Sequence, residues 1–274
     1  MSVKKSFEGN TLSFFSYFKS LIGKVKGVFQ KKDSGIFYEN SWNRYREVLQ
    51  VKLKGDLRDF LSWNFIRHTM YHEAKKEEVQ AVHQSELWQR FPVRPSSFEP
   101  SAGNLIHHYY SILQLESRGF QLDTANFIFE FGGGYGSLAR IFYSIGFKGN
   151  YIIFDFPEFI VLQKFFLSSV LSKNDYAKVV FIDRVDDLKD FVGPFHLDLC
   201  VGLWSISEAP VSLRNELFSF LKADWYLFAY QAEFEKVINY DWFTNFGKGD
   251  KTLDIQEIEH LPKNYYAVGR QLGE

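Results

Sequence analysis

The architecture of the chain is most legible in Phe127-Ile128-Phe129-Glu130-Phe131-Gly132-Gly133-Gly134-Tyr135-Gly136. A short apolar run opens it, and glycines stand at 132, 133, 134 and 136. Leu138-Ala139-Arg140-Ile141-Phe142-Tyr143-Ser144-Ile145 follows at helical spacing and stops at Gly146. Strand, glycine turn and helix in that order begin a βαβ unit, which holds a ligand over the carboxyl end of a strand. The frame is acid-x-Gly-x-Gly-x-Gly, counted from Glu130. A dinucleotide fingerprint G-x-G-x-x-G would need its third glycine at Ser137. No Gly-Lys-Ser/Thr follows, which excludes a Walker-type phosphate cradle.

Downstream, Tyr151-Ile152-Ile153-Phe154-Asp155-Phe156-Pro157-Glu158 is a second apolar strand that ends in an acid 25 residues after Glu130. An acid there accepts hydrogen bonds from both hydroxyls of a ribose. Pro157 fits the first position of the next helix and keeps Phe156 extended, beside the expected adenine edge. Glu158 reads as a favourable charge in that helix's first turn rather than as a ligand contact. In the turn itself, Gly132, Gly134 and Gly136 supply positive φ angles and let backbone approach a ligand without a Cβ collision. N–H groups at the start of the helix can then receive a carboxylate, and Glu130 organises the loop or meets an amino group. Among nucleoside-binding α/β patterns this leaves that of S-adenosylmethionine (SAM). SAM is thus the expected cofactor, held by Glu130, Gly132, Gly133, Gly134, Gly136, Asp155 and Phe156.

From Asn126 onward strands and helices alternate. Strands are expected at 127–131, 151–155, 179–182, 198–204 and 225–231, with helices at 137–145, 158–171 and 211–222. The tail, 252–258 and 265–270, reads as a closing antiparallel hairpin. This predicts an α/β, Rossmann-like methyltransferase fold with a mostly parallel seven-stranded sheet. Before it, helices are expected at 43–51, 56–73, 75–88 and 102–118, with a break at Phe91-Pro92-Val93-Arg94-Pro95. The expected organisation is a basic amphipathic segment 1–32, a helical acceptor-cap region 33–120 and a SAM-binding domain 121–274.

The first 32 residues hold seven lysines and one glutamate, and Phe14, Phe18, Leu21, Val25 and Val28 draw an apolar stripe through them. The readings that stand are peripheral contact of residues 11–30 with an anionic membrane, a helix docked on its own protein, or a partly disordered basic tail. The whole chain carries a formal charge of −1, against nucleic acid as main partner. The single cysteine, Cys200, rules out an intramolecular disulfide and is expected as a buried thiol. No run of 18 apolar residues and no signal peptide is evident, so the cytoplasm is the expected compartment. Aromatic residues make up 19% of the chain, enough both for core and for lining a pocket.

The fourth strand, Leu197 to Trp204, runs into Ser205-Ile206-Ser207-Glu208-Ala209-Pro210. A polar cluster leaving a buried strand is a candidate acceptor site, or a simple cap for the next helix. Glu208, His107 and His108 are the candidate bases, the histidines lying on the helix before the glycine strand. Trp204, Ser207, Tyr230 and Gln231 are the candidate acceptor-binding residues. His68 and His72 share a helix face beside Glu73, but the motif is not H-E-x-x-H and no metal site is expected.

Phe129 and the segment EFGGGYGSLARIFYSIGFKGNYIIFDFPEFIVLQKFFL (130–167) resemble the sugar O-methyltransferase family of bacterial glycan loci. The likeness continues through LWSISEAP (203–210), AYQAEFEKVIN (229–239) and IEHLPKNYYAVG (258–269). Upstream, FLSWNFIRHTMYHEA (60–74) and SAGNLIHHYY (101–110) extend it to roughly residues 55–270. The resemblance implies SAM dependence and a carbohydrate acceptor, free, nucleotide-linked or part of a glycan. One departure is Phe156, where a smaller aliphatic residue is usual before the proline. Methylation of another small molecule, such as a phenol or a phosphate-type oxygen, and SAM binding without transfer are the alternatives.

Overall fold

The computed structural model describes residues 41–55, 80–82, 84–90 and 103–272, all within the unit Ile36–Glu274. The basic segment 1–32, the expected helix 56–73, His68, His72 and Glu73 lie outside the described residues.

Helices α1 (Ser41–Gly55), α2 (Glu86–Arg90) and α3 (Gly103–Glu116) come first. The expected helices 43–51 and 102–118 correspond to α1 and α3. Then β1 (Phe127–Phe131), α4 (Ser137–Ser144), β2 (Asn150–Phe154), α5 (Pro157–Val170), α6 (Lys173–Tyr176), β3 (Val179–Ile182), α7 (Val185–Val192) and β4 (Leu197–Leu203) alternate along the chain. α8 (Ser205–Glu208), α9 (Val211–Phe220), β5 (Ala223–Gln231), a small ribbon of β6 (Glu233–Phe234) and β7 (Val237–Ile238), α10 (Asn239–Phe246), β8 (Lys251–Glu257) and β9 (Asn264–Gln271) complete it.

The main sheet has seven strands in the order β3-β2-β1-β4-β5-β9-β8. β1 to β5 pair in parallel, and β9 pairs antiparallel with both β5 and β8. The closing hairpin expected from the tail is therefore β8–β9. Apolar runs such as Phe127–Phe131 and Asn150–Phe154 suit strands covered on both faces, and Ile128, Phe129, Ile152 and Ile153 are fully buried. Strand order reverses between β1 and β4, the switch point where open α/β sheets bind ligands. Gly132 follows β1 there and Trp204 follows β4. No helix among the described residues is long and apolar enough to cross a membrane.

Candidate functional site

Three glycines of the turn take positive φ: Gly132 at +73°, Gly134 at +56° and Gly136 at +97°. Side chains crowd three of the turn's four glycines, Leu167 standing 3.0 Å from where a Cβ on Gly136 would be. A Cβ on Gly132 would collide with Ser205, and one on Gly133 would stand 2.8 Å from Ile153 Cγ2. Gly134 differs, with no atom within 4 Å of where its Cβ would stand. Gly136 precedes α4 and has no side chain to cap it, so among the described residues the first-turn N–H groups of α4, on buried Ser137, Leu138 and Ala139, receive no cap from that position.

The turn is held from below by β2. Gly132 N–H donates to the Phe154 carbonyl (2.8 Å). Asp155 Oδ2 accepts from Gly134 N–H (3.1 Å) and from Gln163 Nε2 (2.7 Å), and its Oδ1 accepts from Phe156 N–H (2.7 Å). Gln163 Nε2 also lies 3.0 Å from the Gly134 carbonyl that it can donate to. Its Oε1 is buried with no hydrogen-bond partner among the described residues. Gln163, two turns into α5, is a residue of this turn that sequence reasoning missed.

Glu130 is buried beneath the turn and accepts from Tyr151 Oη (2.9 Å). Burial pushes its carboxyl up to about 8, against the Tyr151 bond, which pulls it down. Burial likewise pushes Asp155 up to about 7, despite the three N–H donors that favour its charge.

Phe156, next to Asp155, is covered by a helix the motifs do not mention. The Arg46 guanidinium of α1 lies 4.3 Å from the Phe156 ring centroid. Arg46 Nε is 3.4 Å from Glu158 Oε2, and Gln50 Nε2 donates to Glu158 Oε1 at 2.7 Å. Glu158 does sit in the first turn of α5, as expected, but as a buried carboxylate with two side-chain partners.

α3 places its two histidines differently. His108 Nδ1 is 2.6 Å from Ser137 Oγ, at the start of α4. His107, about 100° round the helix, stacks on His260 from the β8–β9 turn, with centroids 5.2 Å apart and rings 17° from parallel. His107 Nδ1 and His260 Nε2 are 3.4 Å apart, and the Trp204 ring meets His107 edge-on at 6.4 Å. His260 is a polar residue of this cluster that sequence reasoning missed.

Trp204 takes φ +63°, rare for a bulky side chain and worth of order 1–3 kcal/mol of strain. Its N–H donates to the Ala229 carbonyl (2.6 Å) and its Nε1 to Asn264 Oδ1 (2.7 Å). Ser205 Oγ bonds the Phe131 carbonyl and so joins the end of β4 to the end of β1. Ser207 Oγ is buried and donates to the Trp204 carbonyl (2.5 Å), with the Gln231 side chain 3.1 Å away. Glu208 is half-buried at the end of α8. Tyr230 is instead a core ring, stacked on Phe243 at 3.9 Å, and its hydroxyl has no hydrogen-bond partner among the described residues. The structure thus gathers Trp204, Ser205 and His107 beside the glycine turn, and sets Tyr230 deeper, under α10. No group of three or more metal-ligating side chains occurs among the described residues.

This strand order, with its antiparallel closing strand and its glycine turn at the switch point, is the Rossmann-like fold of class I SAM-dependent methyltransferases. No protein-family model and no curated protein matches the chain. Among solved structures it is similar to the methyltransferase domain of bacterial CtHen1, at 11% identity and a TM-score of 0.47, over 61% of this chain and 98% of that one. The glycopeptide N-methyltransferase MtfA complexed with SAM gives 10% identity and a TM-score of 0.46, covering 61% and 87%. Magnesium protoporphyrin IX methyltransferase from Synechocystis PCC 6803, with bound SAH, gives 13% and 0.46, covering 72% and 100%. All three scores lie below 0.5, so strand order and glycine turn, not these neighbours, define the fold.

Proposed function

We propose that the chain binds SAM and transfers its methyl group to a hydroxyl oxygen, with a sugar of a bacterial glycan as the acceptor. The observation that carries this reading is the turn at Gly134. Its backbone is bent to a positive φ, its N–H is tied to the acid that ends β2, and the space a Cβ would fill is open. The uncapped first turn of α4 suits a carboxylate, and Asp155 suits a ribose, so both ends of SAM have a fitting partner. Glu130, Gly132, Gly133, Gly136 and Phe156 complete the cradle.

SAM supplies an electrophilic methyl on sulfur, and the acceptor oxygen must lose a proton as it takes that methyl. Holding the acceptor in line is worth an effective concentration of up to about 10⁵–10⁸ M. A base adds about 10²–10⁴-fold. Glu208, His107 and His108 are the candidates for the base. Trp204 and Gln231 stand at the edge where an acceptor would lie, with the buried Ser207 and Tyr230 behind them. The sugar rests on the family likeness of residues 55–270, and the aromatic and imidazole rings near Trp204 suit a ring with hydroxyls.

Calorimetry tests the cofactor. SAM and S-adenosylhomocysteine should bind, and NAD and ATP should fail to compete. Gly134→Val should abolish binding, and Asp155→Ala should weaken it by ~1.5–3 kcal/mol, the range for hydrogen bonds to a charged group. Tight NAD binding would overturn the reading. Turnover on nucleotide-sugars but not on phenolic acceptors would separate a sugar from the other small-molecule acceptors.

A further inference from the structure

We infer that Arg46 is a positioning residue for the nucleoside end of the SAM site, acting through Phe156 and Glu158; this rests on the SAM reading above. Arg46 and Gln50 lie four residues apart, on one face of α1. From that face they take the two oxygens of a single carboxylate, Glu158, at 3.4 and 2.7 Å. The carboxylate is 1% exposed and Arg46 is 7% exposed. A charge so buried needs a partner, because an unpaired one is expensive to keep out of water. Arg46 meets that need, and in the same pose lays its planar guanidinium over the Phe156 ring.

Glu158 and Phe156 flank the corner where β2 becomes α5. Phe156 N–H donates to Asp155 Oδ1, and Asp155 Oδ2 in turn holds Gly134 N–H. Glu158 also acts on Asp155 as a like charge, one of the influences that raise its pKa. Arg46 therefore does two things at this corner. It pins the ring that faces the adenine position, and it offsets the negative charge next to the ribose acid. The contacts that Arg46 and Gln50 make with Phe156 and Glu158 lie at the corner between β2 and α5, on the side of the ribose acid, so the effect should fall on the adenosine end.

This makes the test one of two ligands. SAM carries both ends and 5′-methylthioadenosine only the nucleoside end. Titration calorimetry on Arg46→Ala should show roughly tenfold weaker binding of both ligands, by the same factor. Arg46→Lys keeps the charge without the planar stack and should recover part of the loss, and Gln50→Ala should fall between wild type and Arg46→Ala. Melting temperatures measured alongside separate this from loss of folding: a merely structural role would lower the melting temperature and leave affinity in the folded range unchanged. If Arg46→Ala melts below the titration temperature, Arg46→Lys and Gln50→Ala carry the comparison. Unchanged affinity for both ligands, weakening for SAM alone, or tighter binding because the guanidinium had occupied the ligand's place would each overturn the assignment. Wild-type protein that binds neither ligand would instead overturn the SAM reading, and the assignment with it.

Discussion

Glu130 and Asp155 place two carboxyls under one glycine turn, and burial rather than hydrogen bonding sets their protonation. Glu130 rises from 4.5 to about 8 and Asp155 from 3.8 to about 7. In both cases the folded protein holds the proton more tightly than the unfolded chain. Their contribution to stability is therefore fully present below the ordinary carboxyl values and is lost as pH rises through about 7 to 8. Each retained proton gives a slope of up to about 1.4 kcal/mol per pH unit. Denaturant melts of the ligand-free protein at pH 5, 6, 7 and 8 should show this decline. Glu130→Gln keeps an acceptor for Tyr151 and should remove roughly half of it. Equal slopes in the two proteins would mean that Glu130 is already ionised at pH 5. The positions of these residues were legible in the sequence, because a glycine turn and a strand-ending acid are local signals. Their protonation was not, since it depends on the depth of the sheet around them.

At the scale of elements, sequence spacing recovers what repeats and loses what crosses. The five parallel strands and the β8–β9 hairpin were all expected, within a residue or two at each end. Four of the described helices were missed: α6 and α8, each a single turn of four residues, and the longer α7 and α10. In α7 only Leu188 and Val192 are buried, so the apolar signal is thin. α10 is Asn239-Tyr240-Asp241-Trp242-Phe243-Thr244-Asn245-Phe246, rich in aromatics that favour strands as readily as helices; ring packing of Trp242 and Phe246 against Phe218 decides it. The missed site residues were lost for a related reason. Arg46 reaches Glu158 across 112 residues and His260 reaches His107 across 153, distances over which a linear pattern says nothing. α3 shows why the two histidines need separate tests. His108 is bonded to the first residue of α4, so His108→Gln should weaken SAM binding more than it slows turnover. His107 sits with His260 beside Trp204, so His107→Gln should keep SAM affinity within a few fold. Its turnover on a nucleotide-sugar acceptor should drop by about 10²–10⁴, with loss of the acidic limb of the pH–rate profile. His260→Gln should follow His107→Gln in both readouts if the pair works as one. Full turnover in all of them would leave Glu208 as the base, and Glu208→Gln decides that case.

For the whole molecule, the one cysteine is a reporter of how the site and the sheet are coupled. Cys200 lies on β4, the middle strand of seven, paired to Phe129 on one side and Tyr226 on the other. Its thiol is fully buried, and burial alone pushes its pKa up. A reagent that attacks the thiolate can reach it only when the central strands separate. The same strands carry the two loops of the site, since the glycine turn leaves β1 and Trp204 leaves β4. Any opening that exposes Cys200 should therefore also destroy the proposed SAM site. Labelling of the native protein with an aromatic disulfide should be slow and should speed up in denaturant along with the loss of far-ultraviolet helix signal. SAM at one hundred times its dissociation constant should slow the labelling by about 100-fold, since only the folded state binds it. Rapid labelling without denaturant would show that β4 opens locally. A rate indifferent to SAM would show that the strand opens while the site stays intact, and would uncouple the switch point from the core.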